Sequence, residues 1–354
     1  VSVGDGSYGF VFTGTTAPSF VNNQPAVIGN NSIFVFADSV LAADNSGTLT
    51  MTGSDNIGYY LKSGGSFVNN ANITGTIGNN NVGIYNVGGK IDNTGTIAVG
   101  ASDLIILTDS DGVKSVDVQN SKYAVGVYGE NSVITNTGNI IVGDKVNKNS
   151  LGIYAKDSIL NDTGNVKVGN SGIAYYGDNS TLNLNAASVD IGNNGVLAYG
   201  INNTFIDYNL GNKTTSENTF VYLINSNVDF NNAEITVGKN GLGVYQDGAS
   251  STLGYKKLYV QENGAGIYGY QTNLFNVGDI ELTEKNSVGI IAEDSDATNN
   301  ALKSIKTNDS NSVGIYSVLK NALPLKSVIN NGEINVSGDK SIGIYGNTLN
   351  SAGA

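Results

Sequence analysis

The chain has 354 residues and carries 18 basic against 30 acidic side chains, a net charge of −12 with a pI near 4.3. Every basic residue is Lys; there is no Arg, His, Cys or Trp, with one Met and three Pro. This composition argues against a basic nucleic-acid groove and excludes a disulfide framework. It equally excludes a zinc site or nucleophile triad built on Cys or His, and no apolar run is long enough to span a membrane as a helix.

The opening, Val1 to Tyr8, matches the join between a strand end and the next motif further along, so the chain reads as beginning in mid-coil. A four-residue motif then recurs. It is Val-Gly-Ile-Tyr at 82–85 and 313–316, Val-Gly-Val-Tyr at 125–128, Leu-Gly-Ile-Tyr at 151–154 and Leu-Gly-Val-Tyr at 242–245, with variants ending at Tyr268 and Tyr345. The terminal residues serve as markers: Phe12, Phe36, Tyr60, Tyr85, Tyr128, Tyr154, Tyr175, Tyr199, Tyr222, Tyr245, Tyr268, Ile291, Tyr316 and Tyr345. Their usual spacing is about 23–25 residues, the range of solenoid repeats. One gap, from Tyr85 to Tyr128, holds an extra segment at 101–122.

Each repeat carries three extended pieces. The motif strand comes first. A polar turn leads to a short piece ending in Asn-Thr-Gly, as at Asn93 to Gly95 and Asn136 to Gly138. A third, alternating piece ends in Gly at Gly100, Gly143, Gly169 and Gly238. Alternation of period two bounded by Gly and Asn is a strand signature, and no stretch has helical periodicity. Gly and Asn tolerate the left-handed backbone that tight corners need. The expected fold is all-β: a right-handed parallel β-helix of about 14 coils, occupying 1–354 as one segment of a longer protein.

Within the motif, Val82 and Ile84 are expected to face inward and stack on Val125/Val127 and Leu151/Ile153, with Tyr85 and its equivalents forming an outer column. Asn93, Asn136, Asn161 and Asn330 are expected to bond into a corner ladder of structural purpose. The outer Tyr column offers flat, hydrogen-bonding rings to a sugar or protein partner, although mutual bracing is the blander account.

Breaks in a solenoid become surface loops and often carry recognition. The largest, 101–122, holds Asp103, Leu104, Asp109, Asp111 and Asp117; 207–219 is irregular and holds Tyr208, Lys213 and Glu217; 320–326 includes Pro324. The candidate partner-binding residues are therefore Asp103, Leu104, Asp109, Asp111, Asp117, Tyr208, Tyr245 and Tyr268. Asp109/Asp111 and Glu293/Asp294/Asp296 are oxygen donors for Ca²⁺, but neither group matches an EF-hand or the β-helix Ca²⁺ nonapeptide. Solvated acidic turns are the favoured reading, and no cofactor is expected. Nor is an enzyme: paired carboxylates do not recur on one strand face, and the commonest general base is absent.

The Val-Gly-Ile-Tyr coils, the Asn-Thr-Gly-(Thr/Asn)-Ile-x-Val-Gly segments at 93–100 and 136–143, and the Lys- and Asn-rich, Arg-free composition together resemble the passenger regions of large fusobacterial autotransporter adhesins. The resemblance implies a cell-surface passenger held at the outer membrane by a C-terminal barrel that this chain does not contain. It implies attachment to a host-cell glycan, to a receptor protein such as an immunoglobulin-like receptor, or to partner bacteria, and no nucleic-acid partner. Zero Cys suits a chain that crosses the periplasm unfolded. A spacer stalk carrying a distal tip is the alternative.

Overall fold

The alternating segments form strands throughout. The computed structural model describes residues 1–16, 19–102, 106–108, 114–116, 122–143, 150–211, 214–215, 217–248, 251, 253–320 and 326–348, and none of these is helical. The chain divides into two compact units, 1–195 and 196–354. Each is a parallel β-solenoid with three short strands per turn. There are about twelve turns in all, slightly fewer than the fourteen expected, and no second and third strand follows the last motif strand, Ile342–Thr348, among the described residues.

In the first unit the motif strands include Val82–Val87, Val125–Glu130 and Leu151–Lys156, each hydrogen-bonded in parallel to the equivalent strand one turn away. Second strands such as Gly89–Asn93 and Val133–Asn136 pair likewise, as do third strands such as Thr96–Val99 and Asn139–Val142. The second unit repeats the scheme with Thr219–Ile224, Leu242–Asp247 and Ala265–Tyr270 as motif strands and Glu234–Val237, Lys257–Val260 and Asp279–Leu282 as third strands. Register is strict because an inward aliphatic must meet another: Ile84, Val127 and Ile153 lie in one column and are fully buried. Each such side chain contributes about 1.5–3 kcal/mol.

The inward assignment of Val82 requires correction. Val82 and Leu151 are only half-buried, whereas Gly83 and Ile84 are both buried. The strand kinks at the glycine, so two consecutive residues face the interior. A Cβ on Gly83 would sit 2.5 Å from Ile97 Cγ2 and 2.6 Å from the Gly126 carbonyl oxygen. Only a residue without a side chain fits where the motif strand, the third strand and the next turn converge. Two markers also shift. Val11, not Phe12, is in register with Phe36, and Tyr176, not Tyr175, is in register with Tyr154; Tyr175 lies in the buried Ile153 column.

Two corners flank each motif strand. After it comes a left-handed residue, as at Asn131, Asp157, Asn179, Asn225, Gln271 and Asp294. Asn and Asp tolerate that conformation better than other side chains. The following Ser or Thr points inward, and its hydroxyl accepts the N–H of the equivalent residue one turn back. Ser132 N–H donates to Ser158 Oγ at 2.9 Å and Ser158 N–H to Ser180 Oγ at 3.0 Å. In the second unit Thr204 N–H donates to Ser226 Oγ and Thr272 N–H to Ser295 Oγ. Corners break the strand ladder, and these hydroxyls satisfy donors that would otherwise be buried without partners.

The extra segment contains two short antiparallel strands, Ile106–Thr108 and Lys114–Val116. The spiral closes beneath them: Val125 N–H donates to the Asn81 carbonyl, and Ala124 N–H to Ser102 Oγ. The stretch expected to be irregular at 207–219 begins inside a regular second strand, Phe205–Tyr208, and ends at the motif strand Thr219–Ile224.

Candidate functional site

Outward residues of the motif strands stand one above another because parallel in-register pairing places like on like. In the first unit Phe36, Tyr60, Tyr85, Tyr128, Tyr154 and Tyr176 form a half-exposed column; in the second, Tyr199, Tyr222, Tyr245, Tyr268, Ile291 and Tyr316 do the same. The outward Tyr assignment therefore holds. The rings touch each other. Tyr85 and Tyr128 stack with centroids 4.2 Å apart and planes 16° off parallel; Tyr222 and Tyr245 stack at 4.2 Å and 12°. Tyr128–Tyr154 and Tyr154–Tyr176 meet edge to face at 4.9 and 4.6 Å. The aromatic faces are thus largely occupied by neighbours, and what reaches solvent is ring edge and hydroxyl.

Charged groups border the column. Tyr128 Oη donates to Glu130 at 2.9 Å, and Glu130 is ion-paired to Lys156 at 2.8 Å, which holds its carboxyl below the usual range. Tyr268 Oη donates to Glu293, and Glu293 pairs with Lys320 at 2.6 Å. Burial against neighbouring rings pushes the phenols of Tyr154 and Tyr176 up to about 12. Burial also raises those of Tyr128, Tyr245 and Tyr268. Tyr128, Tyr154, Tyr176, Tyr245 and Tyr268 therefore keep their hydroxyl protons at neutral pH.

The remaining sequence candidates fare differently. Asp103, Leu104, Asp109, Asp111 and Asp117 lie outside the described residues, as does Lys213. Tyr245 and Tyr268 are adjacent rungs of the column, 5.4 Å apart. Tyr208 must be withdrawn as a partner-binding residue. It is the last residue of its strand, faces inward, is 0 % exposed, and its ring packs against Phe220 and Phe230. Glu293, Asp294 and Asp296 are all engaged by one segment. Besides Lys320, the Lys320 N–H donates to Asp294 at 2.7 Å, and Ser327 donates twice to Asp296. Among the described residues no group of three or more acidic side chains is arranged to hold a metal ion.

The corner ladder expected from the sequence forms through Asn93, Asn136 and Asn330 but not through Asn161. The corner ladder runs Asn22–Asn45–Asn69–Asn93–Asn136, each amide donating to the next oxygen at 2.7–3.0 Å, and it ends on Asp162 rather than Asn161. Asn161 faces outward and accepts from Asn183 instead. A second ladder, Asn276–Asn299–Asn330, receives the Tyr255 hydroxyl. A feature that sequence reasoning missed is a shallow groove of about 240 Å³ on the third-strand face, lined by Asn139, Ile141, Asn165, Lys167, Ser188 and Asp190. Short polar residues at outward strand positions gave no signal that would separate it from the ordinary solvated face.

No family model matches the sequence, and no curated protein matches it. Among solved structures, a doubly substituted periplasmic alginate epimerase matches with a TM-score of 0.37 and 9 % identity, over 93 % of this chain and 78 % of that one. A singly substituted form of the epimerase matches with a TM-score of 0.29 and 10 % identity over the same shares.

Proposed function

We propose that this chain is a non-catalytic segment of a bacterial surface adhesin passenger, exported from the cytoplasm and presenting its Tyr column to a partner. The observation that carries the reading is that column: within each unit, half-exposed phenols stand in register on successive motif strands. Tyr is favoured at binding surfaces because it combines apolar area, few rotors and a polar tip. Since the ring faces are stacked on one another, a partner is met by edges and hydroxyls. That chemistry suits a receptor protein, or a glycan engaged through its hydroxyls, better than a sugar ring laid flat on an aromatic face. The repeats' resemblance to autotransporter passengers supports the same reading, with membrane attachment left to a barrel outside this chain.

The test is a Tyr245→Ser/Tyr268→Ser double variant. Binding of the fragment to cells, or to a hit from glycan and receptor arrays, should weaken by about tenfold or more, the scale of one or two interface anchors. Circular dichroism should stay unchanged. Full binding by a folded double variant would defeat the proposal.

A spacer role is the second reading, and one observation favours it. The rings and the flanking charges already satisfy each other, as in Tyr128–Glu130–Lys156. If the segment only spaces, removing 103–121 and substituting the Tyr column should both leave adhesion of the parent protein intact.

A further inference from the structure

The Tyr column has chemistry that partner binding does not use. The chain contains no Cys, Trp or His, and its one Met, Met51, is fully buried. Half-exposed tyrosines are therefore the most readily oxidised groups an external oxidant meets. They are also paired in a way that a globular surface rarely provides. Tyr222 is in register with Tyr245 and Tyr85 with Tyr128 on parallel strands, and in both pairs the rings lie face to face with centroids 4.2 Å apart and planes within 16° of parallel. Tyr199–Tyr222 continues the stack at 4.7 Å and 5°. Glu130 and Glu293 accept hydrogen bonds from Tyr128 and Tyr268 and are placed to take the phenolic proton as an electron leaves.

We propose that the column is an oxidative cross-linking site, in which stacked tyrosines on successive turns, foremost Tyr222–Tyr245 and Tyr85–Tyr128, couple to intramolecular dityrosine. The oxidant is a haem peroxidase working with hydrogen peroxide. Each phenol loses one electron and one proton. The two phenoxyl radicals join by one carbon–carbon bond ortho to the oxygens, and the two displaced ring hydrogens return to the oxygens by tautomerisation. The pair loses two hydrogen atoms in all, and these reduce one peroxide to two waters. Pre-positioning makes the coupling effectively unimolecular, so it outruns coupling between molecules in dilute solution. Edge-to-face pairs such as Tyr128–Tyr154, with planes 79° apart, do not lay one ring over the other and should couple poorly. The product is a covalent brace between turns in a protein that has no disulfides. This inference stands apart from the adhesin reading, and neither depends on the other.

The test treats the dilute full chain with peroxidase and peroxide. The monomer should lose two hydrogen masses per event and gain dityrosine fluorescence, and digestion should yield linked peptides containing Tyr222–Tyr245 and Tyr85–Tyr128. Tyr222→Phe/Tyr245→Phe keeps the rings stacked and should abolish the 222–245 link. Tyr154→Phe, on an edge-to-face rung, should leave the yield of both links unchanged. The proposal fails if the oxidised monomer carries no dityrosine, if links form only between molecules, or if edge-to-face pairs couple as often as stacked ones.

Discussion

Asp162 shows how one residue closes a ladder. Five Asn amides each donate upward, so the last acceptor needs no donor of its own. The next turn offers Leu184, which cannot accept a hydrogen bond. An acceptor-only carboxylate solves the mismatch, held by Asn136, the Gly164 N–H and the Tyr175 hydroxyl. Burial nevertheless raises its pKa above the ordinary 3.8, the three hydrogen bonds offsetting part of the effect. As pH climbs from 3.8, the unfolded chain ionises first while the folded one keeps its proton, so this residue's contribution to stability falls with rising pH. Asp162→Asn removes the titration. Its melting temperature should gain on the wild type as pH rises from the acid range to neutrality, and a variant-minus-wild-type difference that stays constant or falls would contradict this. Interrupting the ladder is a separate matter. Asn93→Ala leaves the buried Asn69 amide without its acceptor, at a cost of about 1–3 kcal/mol, measurable by denaturant titration. The sequence marked these corners as Asn-rich, but only the pairing of Asp162 with Asn136 showed which of two adjacent polar residues faces in.

The motif strand is decided by its glycine. Gly126, like Gly83, has no room for a side chain: a Cβ would lie 2.6 Å from Ile140 Cγ2 and 2.7 Å from the Gly152 carbonyl oxygen. Gly126→Ala should therefore cost about 1–3 kcal/mol, the usual penalty of overpacking, read as a lower melting temperature. Other turns carry Ala174, Leu197 and Phe220 at this position, all buried. In the Ala174 turn the third strand, Ser188–Ile191, has given way, with Val189 and Ile191 only half-buried. By contrast, Ile153→Ala empties a fully buried rung and should cost about 2–5 kcal/mol. Strict alternation gave Ile84, Val127 and Ile153 correctly and misplaced Val82, because period-two reasoning has no place for a kink that turns two neighbours inward.

Across the molecule, stability comes from each turn lying on the next, so it is a sum of local terms with nearest-neighbour coupling. Extra segments between turns are tolerated when the backbone closes beneath them, as Val125 and Asn81 do around 101–122. Replacing 103–121 by a short Gly-Ser turn should remove no strand beyond the two short ones it carries and shift stability by less than about 1 kcal/mol, since loop-closure entropy varies only slowly with length. Loss of cooperative unfolding in that variant would show the segment to be part of the core.

The recurrence of Val-Gly-Ile-Tyr, the Asn and Gly corners and the want of helical period determined the solenoid, the three strands per turn and the outer Tyr column, because a repeat that stacks on itself must place equivalent residues in register. What the rings present was settled only in three dimensions. Their faces are turned on one another, Tyr208 lies in the core, and the buried carboxylate sits at 162, since each depends on contacts between turns more than twenty residues apart along the chain.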